Sequence, residues 1–179
     1  MLKKIVLPFA FMGALCIGSA LAQEVSAPSG LPGGAASLNE EHGDWTVSCR
    51  MVGTEKLCAL SQSLADTGSG ERVLAVELAT PALDQIEGIL LLPFGLRLSD
   101  GITLKVDANP LGTARPFLTC IASGCIVPLV FSASQISAMR AGKAMTISGA
   151  SADVGQPIEL TVSLTGFLVA SNRSVELSN

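Results

Sequence analysis

The stretch RPFLTCIASGCIVPLV, residues 115–130, places Cys120 and Cys125 on either side of a four-residue spacer that ends in Gly124. β-Branched and aromatic residues flank the pair, which is typical of two strands joined by a turn. Common thiol–disulfide exchange enzymes instead carry Cys-x-x-Cys at a helix N-terminus, where the helix dipole lowers a thiol pKa. The longer spacer and the strand-like flanks therefore favour a structural disulfide over a redox pair.

The amino-terminal segment has the three parts of a secretory signal peptide, MLKKIVLPFAFMGALCIGSALA over residues 1–22. Lys3 and Lys4 form the positive start, residues 5–17 are almost wholly apolar, and Ala-Leu-Ala at residues 20–22 is a typical cleavage site. The apolar run is too short for a good membrane-spanning helix. We expect a periplasmic, secreted or cell-surface protein, with no stable membrane insertion once the signal is removed.

Cleavage there would remove Cys16 and leave four cysteines. The remaining ones are Cys49, Cys58, Cys120 and Cys125. An even count in an exported chain predicts two disulfides, and four cysteines allow three pairings. Neighbours in sequence would face each other across hairpins, at the Cα separation of about 4.5 Å that a disulfide accepts. We therefore predict Cys49–Cys58 and Cys120–Cys125, and no metal site or cofactor, because paired zinc ligands usually have shorter spacers.

The charge pattern excludes several kinds of partner. Without Lys3 and Lys4, nine basic residues remain against 15 acidic ones, a net charge of −6, and the basic residues are scattered. Nucleic acids and anionic lipid surfaces both require a concentrated basic face. We expect neither as a partner, which leaves an unknown protein or envelope component.

Short β-type runs separated by turn residues extend from Gly43 to the end of the chain. In DWTVSC, Trp45, Val47 and Cys49 fall on one face, and GILLLPFGLRLSDGITLKVD gives three further short runs. This spacing predicts an all-β domain over residues 43–179, an antiparallel β-sandwich of short strands. The unbroken apolar run at residues 89–92 predicts a strand buried on both faces.

One short helix and one leader complete the predicted organisation. In SASQISAMRAGK, Ser132 and Gln135 have the spacing of a capping box, and an apolar stripe follows them. Residues 23–42 are rich in glycine and proline at their start and lack an apolar period, so they predict a flexible leader.

Hydrolytic chemistry finds little support in the sequence. His42 is the sole histidine and lies at the edge of the predicted leader, where a catalytic base would be poorly oriented. The carboxylate pairs Asp84 with Glu87 and Asp100 with Asp107 fall in predicted loops, where acidic side chains are usually solvated. We therefore predict no catalytic residues and no enzymatic activity.

The apolar stretch GILLLPFGLRL, residues 88–98, is the one place where the sequence suggests a contact site. An exposed tip at Leu91, Leu92 and Phe94 could contact lipid, a signal peptide or a protein partner. The competing interpretation is that these side chains fill the core of the sandwich.

Five motifs together resemble the invasion-associated locus B family of bacterial exported proteins. They are GDWTVSC (43–49), a second Cys followed by Gln62, LLPFGLRLSDGITLKVD (91–107), PFLTCIASGC (116–125) and LTVSLTGF (160–167). The resemblance covers nearly the whole domain and implies a periplasmic or surface β-sandwich without established catalysis. It transfers no catalytic residue to this chain, and invasion itself does not follow from it.

The sequence thus predicts an exported, non-enzymatic β-sandwich that serves as an envelope or host-interaction module. Two alternatives remain open: a thiol–disulfide oxidoreductase of the envelope, using Cys120 and Cys125, and a carrier of a small apolar ligand, using residues 88–98.

Overall fold

A computed structural model describes residues 30–179. The predicted signal peptide and residues 23–29 lie outside the described part. The strands are β1 (Ser37–His42), β2 (Trp45–Val52), β3 (Glu55–Ala65), β4 (Arg72–Ala82), β5 (Gln85–Leu92), β6 (Thr103–Val106), β7 (Asn109–Pro110), β8 (Thr119–Ile121), β9 (Gly124–Phe131), β10 (Ala144–Ala150) and β11 (Pro157–Ser163). The helices are α1 (Ala133–Ala141) and α2 (Phe167–Ser178), with two short 3-10 turns at Pro32–Gly34 and Leu98–Asp100.

The strands form two antiparallel sheets. The larger has seven strands in the order β1-β2-β3-β4-β5-β9-β8, and the smaller has four in the order β11-β10-β6-β7. The larger sheet begins as a meander, because β1 to β5 pair in chain order. This arrangement confirms the predicted antiparallel all-β fold class.

One hydrophobic core joins the two sheets and both helices. In the larger sheet it takes alternate residues, such as Trp45 and Val47 on β2 and Leu90 and Leu92 on β5. In the smaller sheet it takes Leu104, Val106, Met145 and Ile147. The helices pack on the same face, α2 against β1 to β4 and α1 against β5 and β9. The face that receives them is called the covered face below.

Two polar side chains connect the sheets at the end of β11. The indole nitrogen of Trp45 donates to the carbonyl of Ser163 at 2.9 Å. Buried Gln62 donates to the same carbonyl at 3.1 Å and accepts from the Ser163 N–H at 2.9 Å. Because an unpaired buried backbone group is costly, these bonds define where β11 ends against the larger sheet.

Helix α2 was not predicted from the sequence, which showed a continuing β-type run at this point. Gly166 makes the turn into the helix with a φ of 86°, and its α-carbon lies so close to the His42 carbonyl that a side chain would collide with it. Phe167 then packs edge-on against Trp45, with 5.0 Å between ring centroids. Tertiary contacts with Trp45 and a glycine turn thus outweigh the local strand pattern.

Helix α1 agrees with its prediction. Ser132 caps it by accepting from the Gln135 N–H, and the Gln135 side chain accepts from the Ser132 N–H at 2.9 Å. Ile136 and Met139 bury its apolar stripe.

The predicted leader is corrected at its carboxyl-terminal end. Ser37–His42 form β1. The Ala36 carbonyl accepts a hydrogen bond from the Met51 N–H, so the pairing with β2 begins one residue before β1. Leu31 is buried in the core. The prediction extended the flexible segment too far toward the carboxyl terminus. Polar, weakly patterned residues such as SLNEEH form an edge strand because β2 provides backbone hydrogen-bond partners.

The predicted burial of residues 89–92 on both faces is also corrected. Leu90 and Leu92 are 0% and 1% exposed, but Ile89 is 40% exposed and Leu91 is half-buried. The run is apolar on both faces, but only one face is covered.

Candidate interaction surface

The face of the seven-stranded sheet opposite the core remains open to solvent within residues 30–179. Along β2, β4 and β9, each buried side chain alternates with an exposed or half-buried one. These outward side chains form the open face.

One half of the open face is polar. Most of its outward residues on β1, β2 and β3 are polar: Ser37, Asn39, Glu41, Thr46, Ser48, Arg50, Ser61 and Ser63. Val52 and Leu57, which are 50% and 44% exposed near the β2–β3 turn, are apolar. Such residues are expected on the solvent face of an antiparallel sheet.

The other half of the open face is apolar. The residues Ile89, Leu91, Ile126, Pro128 and Val130 of β5 and β9 form it, and they oppose one another across the ladder as Ile89↔Pro128 and Leu91↔Ile126. Val130 is 66% exposed and Ile89 is 40% exposed. A contiguous apolar surface on the solvent side of a sheet is a feature of interaction sites.

Arg115 lies at the margin of this apolar half. Its Nη1 donates to the Val130 carbonyl at 3.0 Å, and its guanidinium lies over the Phe131 ring at 5.0 Å. Burial lowers the pKa of Arg115 from its ordinary value. The residue anchors the end of β9 through a hydrogen bond and a cation–π contact.

A cleft separates the two halves at one end of the sheet. The β3–β4 ladder stops at Leu60↔Leu78, yet β3 continues back to Glu55 and β4 continues forward to Ala82. The space between them belongs to a groove of about 720 Å³. Residues 56–59 and 79–81 line it, together with Arg50, Glu77, Glu87 and Ser178.

Backbone alternation directs unpaired groups into this cleft. The Met51 N–H donates to Ala36, so the backbone groups of Met51 and Cys49 point toward β1. Cys49 and Cys58 therefore form a non-hydrogen-bonded pair, in agreement with their Cα separation of 4.1 Å. The N–H and C=O of Cys58, and by the same alternation those of Lys56, point away from β2 and toward the cleft.

The two walls of the cleft are anchored to different elements. On β3, the Cys49–Cys58 disulfide fixes the strand to β2. On β4, the buried Thr80 hydroxyl donates to Ser174 of α2 at 2.6 Å. Pro81 lacks an N–H, and the β4–β5 register shifts between Ala79 and Ala82 around it.

The cleft carries charge of both signs. Glu77 and Glu87 lie on its β4–β5 wall as diagonal neighbours, since Glu77 opposes Ile89 and Glu87 opposes Ala79. Neither forms an ion pair with another residue of the described chain. Arg50 and Lys56 lie on the opposite wall, and the Lys56 ammonium donates to the Asn179 carbonyl at 3.1 Å.

His42 and Glu40 lie on the covered side of β1, near α2. Arg173 donates to the Glu40 carboxylate from Nε and Nη2, both at 2.8 Å, and His42 Nε2 lies 3.2 Å from the same carboxylate. The hydrogen bonds from Arg173 lower the pKa of Glu40 to about 2, and the carboxylate raises the pKa of Arg173. His42 is thus half-buried and lies against the carboxylate that pairs with Arg173.

The four cysteines form the two predicted disulfides, each between paired strands. Cys49–Cys58 joins β2 to β3, and Cys120–Cys125 joins β8 to β9. At Gly124, with a φ of 138°, an added β-carbon would collide with the Leu92 carbonyl. Neither disulfide lies at a helix N-terminus, the position that lowers a thiol pKa in exchange enzymes.

The three predicted apolar contact residues separate in the structure. Leu92 is 1% exposed and belongs to the core, so it cannot contact a partner in this fold. Leu91 points to the open face, and Phe94 follows β5 with 61% exposure. Glu77 and the cleft were not predicted from the sequence, although Pro81 inside an apolar strand pattern was an available signal.

The candidate acidic pairs do not converge. Asp107 accepts from the backbone N–H groups of Lys143 and Ala144 and so serves a turn, whereas Asp100 lies 3.7 Å from Arg97. No group of three or more His, Cys, Asp or Glu side chains within residues 30–179 could hold a metal ion. No helix in that range is long and apolar enough to cross a membrane.

The fold and the surface define a class: a disulfide-bonded antiparallel β protein with one covered and one open sheet face. The family model described as invasion associated locus B (IalB) protein matches residues 45–174. The chain therefore belongs to the IalB family.

Two relatives and one solved structure support this membership. An invasion protein B homolog of Brucella abortus is 38% identical over 143 residues, which are 80% of this chain and 82% of the relative. Invasion protein B of Bartonella bacilliformis is 32% identical over 186 aligned positions, covering 98% of this chain and 99% of the relative. The crystal structure of invasion associated protein B from Bartonella henselae superposes with a TM-score of 0.73 and 32% identity, covering 79% of this chain and 97% of that one.

Proposed function

We propose that this IalB-family protein is an exported, non-enzymatic module that binds a protein of the cell envelope or of a host cell through its open face. The observation that carries the proposal is the apolar half formed by Ile89, Leu91, Ile126, Pro128 and Val130. A β-sheet face without a partner element is usually polar, and here five neighbouring positions on β5 and β9 are apolar.

Export is supported by residues 1–22 and by the two disulfides. Residues 1–22 have the anatomy of a secretory signal peptide. The two disulfides are stable in oxidising compartments outside the cytoplasm.

A binding role is favoured over catalysis by the arrangement of polar groups. The largest pKa shifts belong to Glu40 and Arg173, and their cause is the ion pair that joins β1 to α2. Relatives carry invasion protein names and no enzymatic name, which points toward an envelope or host-facing role.

The two alternative functions receive less support. An exchange enzyme activates its sulfur at a helix N-terminus, whereas Cys120 and Cys125 join two paired strands, β8 and β9. A carrier using residues 88–98 would need Leu90 and Leu92 to line a cavity, and both are packed in the core.

Export can be tested in the native bacterium. Osmotic shock or surface proteolysis should release the protein without its first 22 residues. Alkylation of whole cells should find no free thiol on it, because all four remaining cysteines are paired. A cytoplasmic protein that retains those residues and reacts with the alkylating reagent would contradict the proposal.

The binding surface can be tested by site-specific photo-crosslinking in the same cells. A photoreactive residue at Val130, in the apolar half, should give a discrete adduct with an envelope or host protein. The matched control is Val154, which has a similar exposure of 69% but lies next to the smaller sheet. Equal adducts at both positions, or none at Val130, would refute a role for the open face.

A further inference from the structure

We propose that the cleft between β3 and β4 binds an extended peptide segment of a partner protein that carries a lysine or arginine. The inference rests on the proposed binding role and names a second contact on the same face, distinct from the apolar half.

The hydrogen-bonded ladder between β3 and β4 is interrupted at one end of the sheet. Five residues of β3 and four of β4 extend beyond Leu60↔Leu78 without pairing to each other. Strand edges with free N–H and C=O groups are templates for an added peptide strand, whose backbone supplies the affinity. Lys56 and Cys58 present free backbone groups at the β3 wall. Thr80 presents them at the β4 wall, because Leu78, two residues earlier, directs its backbone groups toward β3 in the last ladder pair.

Both walls of the cleft are anchored to other elements of the fold. The Cys49–Cys58 disulfide holds one wall to β2, and the Thr80–Ser174 hydrogen bond holds the other to α2. Anchored walls do not have to be ordered on binding, which lowers the entropic cost. The groove to which the cleft belongs has a volume of about 720 Å³, within the range of ligand pockets.

The β4–β5 wall of the cleft carries negative charge. Glu77 and Glu87 have no ion-pair partner within residues 30–179 and flank the entrance from β4 and β5. A basic side chain would complement both carboxylates. Arg50 and Lys56 lie on the far wall and would repel a basic side chain that entered on that side. The two carboxylates therefore favour one side of the cleft for the basic side chain.

Two other strand edges provide an internal comparison. Backbone alternation leaves the N–H and C=O of Ser37, Asn39 and Glu41 free on β1, and those of Glu159 and Thr161 free on β11. Neither edge has a second wall. A peptide that merely adds to any free edge would protect these amides as well.

The test uses the purified protein with both disulfides formed and three blocked peptides. Each peptide alternates threonine and valine around one central arginine, glutamine or glutamate. Hydrogen–deuterium exchange should show the arginine peptide slowing the amides of Lys56, Cys58 and Thr80 about tenfold, with no change at Glu159 or Thr161. Its affinity should exceed that of the glutamate peptide by about tenfold.

Matched variants locate the effect. Ala79→Trp fills the cleft and should abolish binding, whereas Ala75→Trp, on the same strand and face but outside the cleft, should not. Glu87→Lys should reverse the preference between the arginine and glutamate peptides, and Glu41→Lys on β1 should leave it unchanged.

The proposal is overturned if no peptide slows exchange at the cleft amides at millimolar concentration. It is equally overturned if protection is the same at β11 or if Ala75→Trp acts like Ala79→Trp. In each case the crosslinking test at Val130 can still succeed, so the two proposals can fail separately.

Discussion

The two faces of the seven-stranded sheet are built from the same strands, and on β5 and β9 both faces are apolar, but only one face is covered. On β5, Leu90 is 0% exposed and supports the core, while its neighbour Ile89 is 40% exposed. Apolar character alone therefore does not identify the core of this protein. The core is identified by the elements that cover it. These are α1, α2 and the smaller sheet, all of which pack on one side of the larger sheet.

The comparison implies that equal substitutions on the two faces have unequal effects. Changes on the covered face should reduce the free energy of unfolding, and changes on the open face should chiefly reduce binding. The predictions below run from the largest expected effect to the smallest.

The largest effect is expected for Trp45→Ala on the covered face. This change removes a fully buried ring, its edge contact with Phe167 and its hydrogen bond to Ser163. The free energy of unfolding in urea should fall by about 3–5 kcal/mol. Thr46→Ala, one residue further on the open face, should stay within about 0.5 kcal/mol of the wild type. Similar losses for both would abolish the distinction between the faces.

The second prediction compares two adjacent leucines. Leu90→Ala should reduce the free energy of unfolding by about 2–5 kcal/mol, because it leaves a cavity in the core. Leu91→Ala should reduce it by about 1 kcal/mol, since the side chain is half-buried against Gly124. Chemical denaturation of the two variants measures the difference. If Leu91→Ala is the more destabilising, something covers the open face in solution.

The third prediction concerns the covalent links. Replacement of Cys49 and Cys58 by alanine should lower the free energy of unfolding by about 2–3 kcal/mol, and replacement of Cys120 and Cys125 by slightly less, because the second loop is shorter. Loss of the Cys49–Cys58 disulfide should also loosen the cleft wall on β3 and speed exchange of the backbone amide at position 58 relative to that of Leu60. Denaturation and hydrogen exchange check the two parts. A pair whose loss does not change stability would be dispensable for the fold.

The smallest effect is a pH dependence at the edge of the covered face. Glu40 has a folded-state pKa of about 2, below its ordinary value of 4.5, because Arg173 donates to it. Its contribution is therefore present above the unfolded pKa and is lost as the pH falls from about 4.5 toward 2.

The ion pair lies near the surface, so the contribution should not exceed about 1 kcal/mol. Glu40→Gln should flatten the acid limb of the stability curve measured by urea unfolding. An unchanged acid limb would show that other carboxylates dominate the response.

Several elements could be predicted because their signals are local. The capping box at Ser132 and Gln135 depends on residues three apart, and each disulfide joins cysteines that a hairpin brings together. The buried series Trp45, Val47, Cys49 follows from strand alternation alone. Helix α2, the edge strand β1 and the burial of Leu92 but not Ile89 were not predictable in this way.

The sequence by itself determined the strand-rich class, the pairing of its cysteines and the family likeness, since these depend on composition and on residues close together in the chain. Only the tertiary structure decided which face of the large sheet is covered, where the β3–β4 ladder ends and that residues 167–178 are helical. The physical reason is that burial belongs to the packing of distant segments. Trp45 meets Phe167, and Thr80 meets Ser174, across separations that no local pattern encodes.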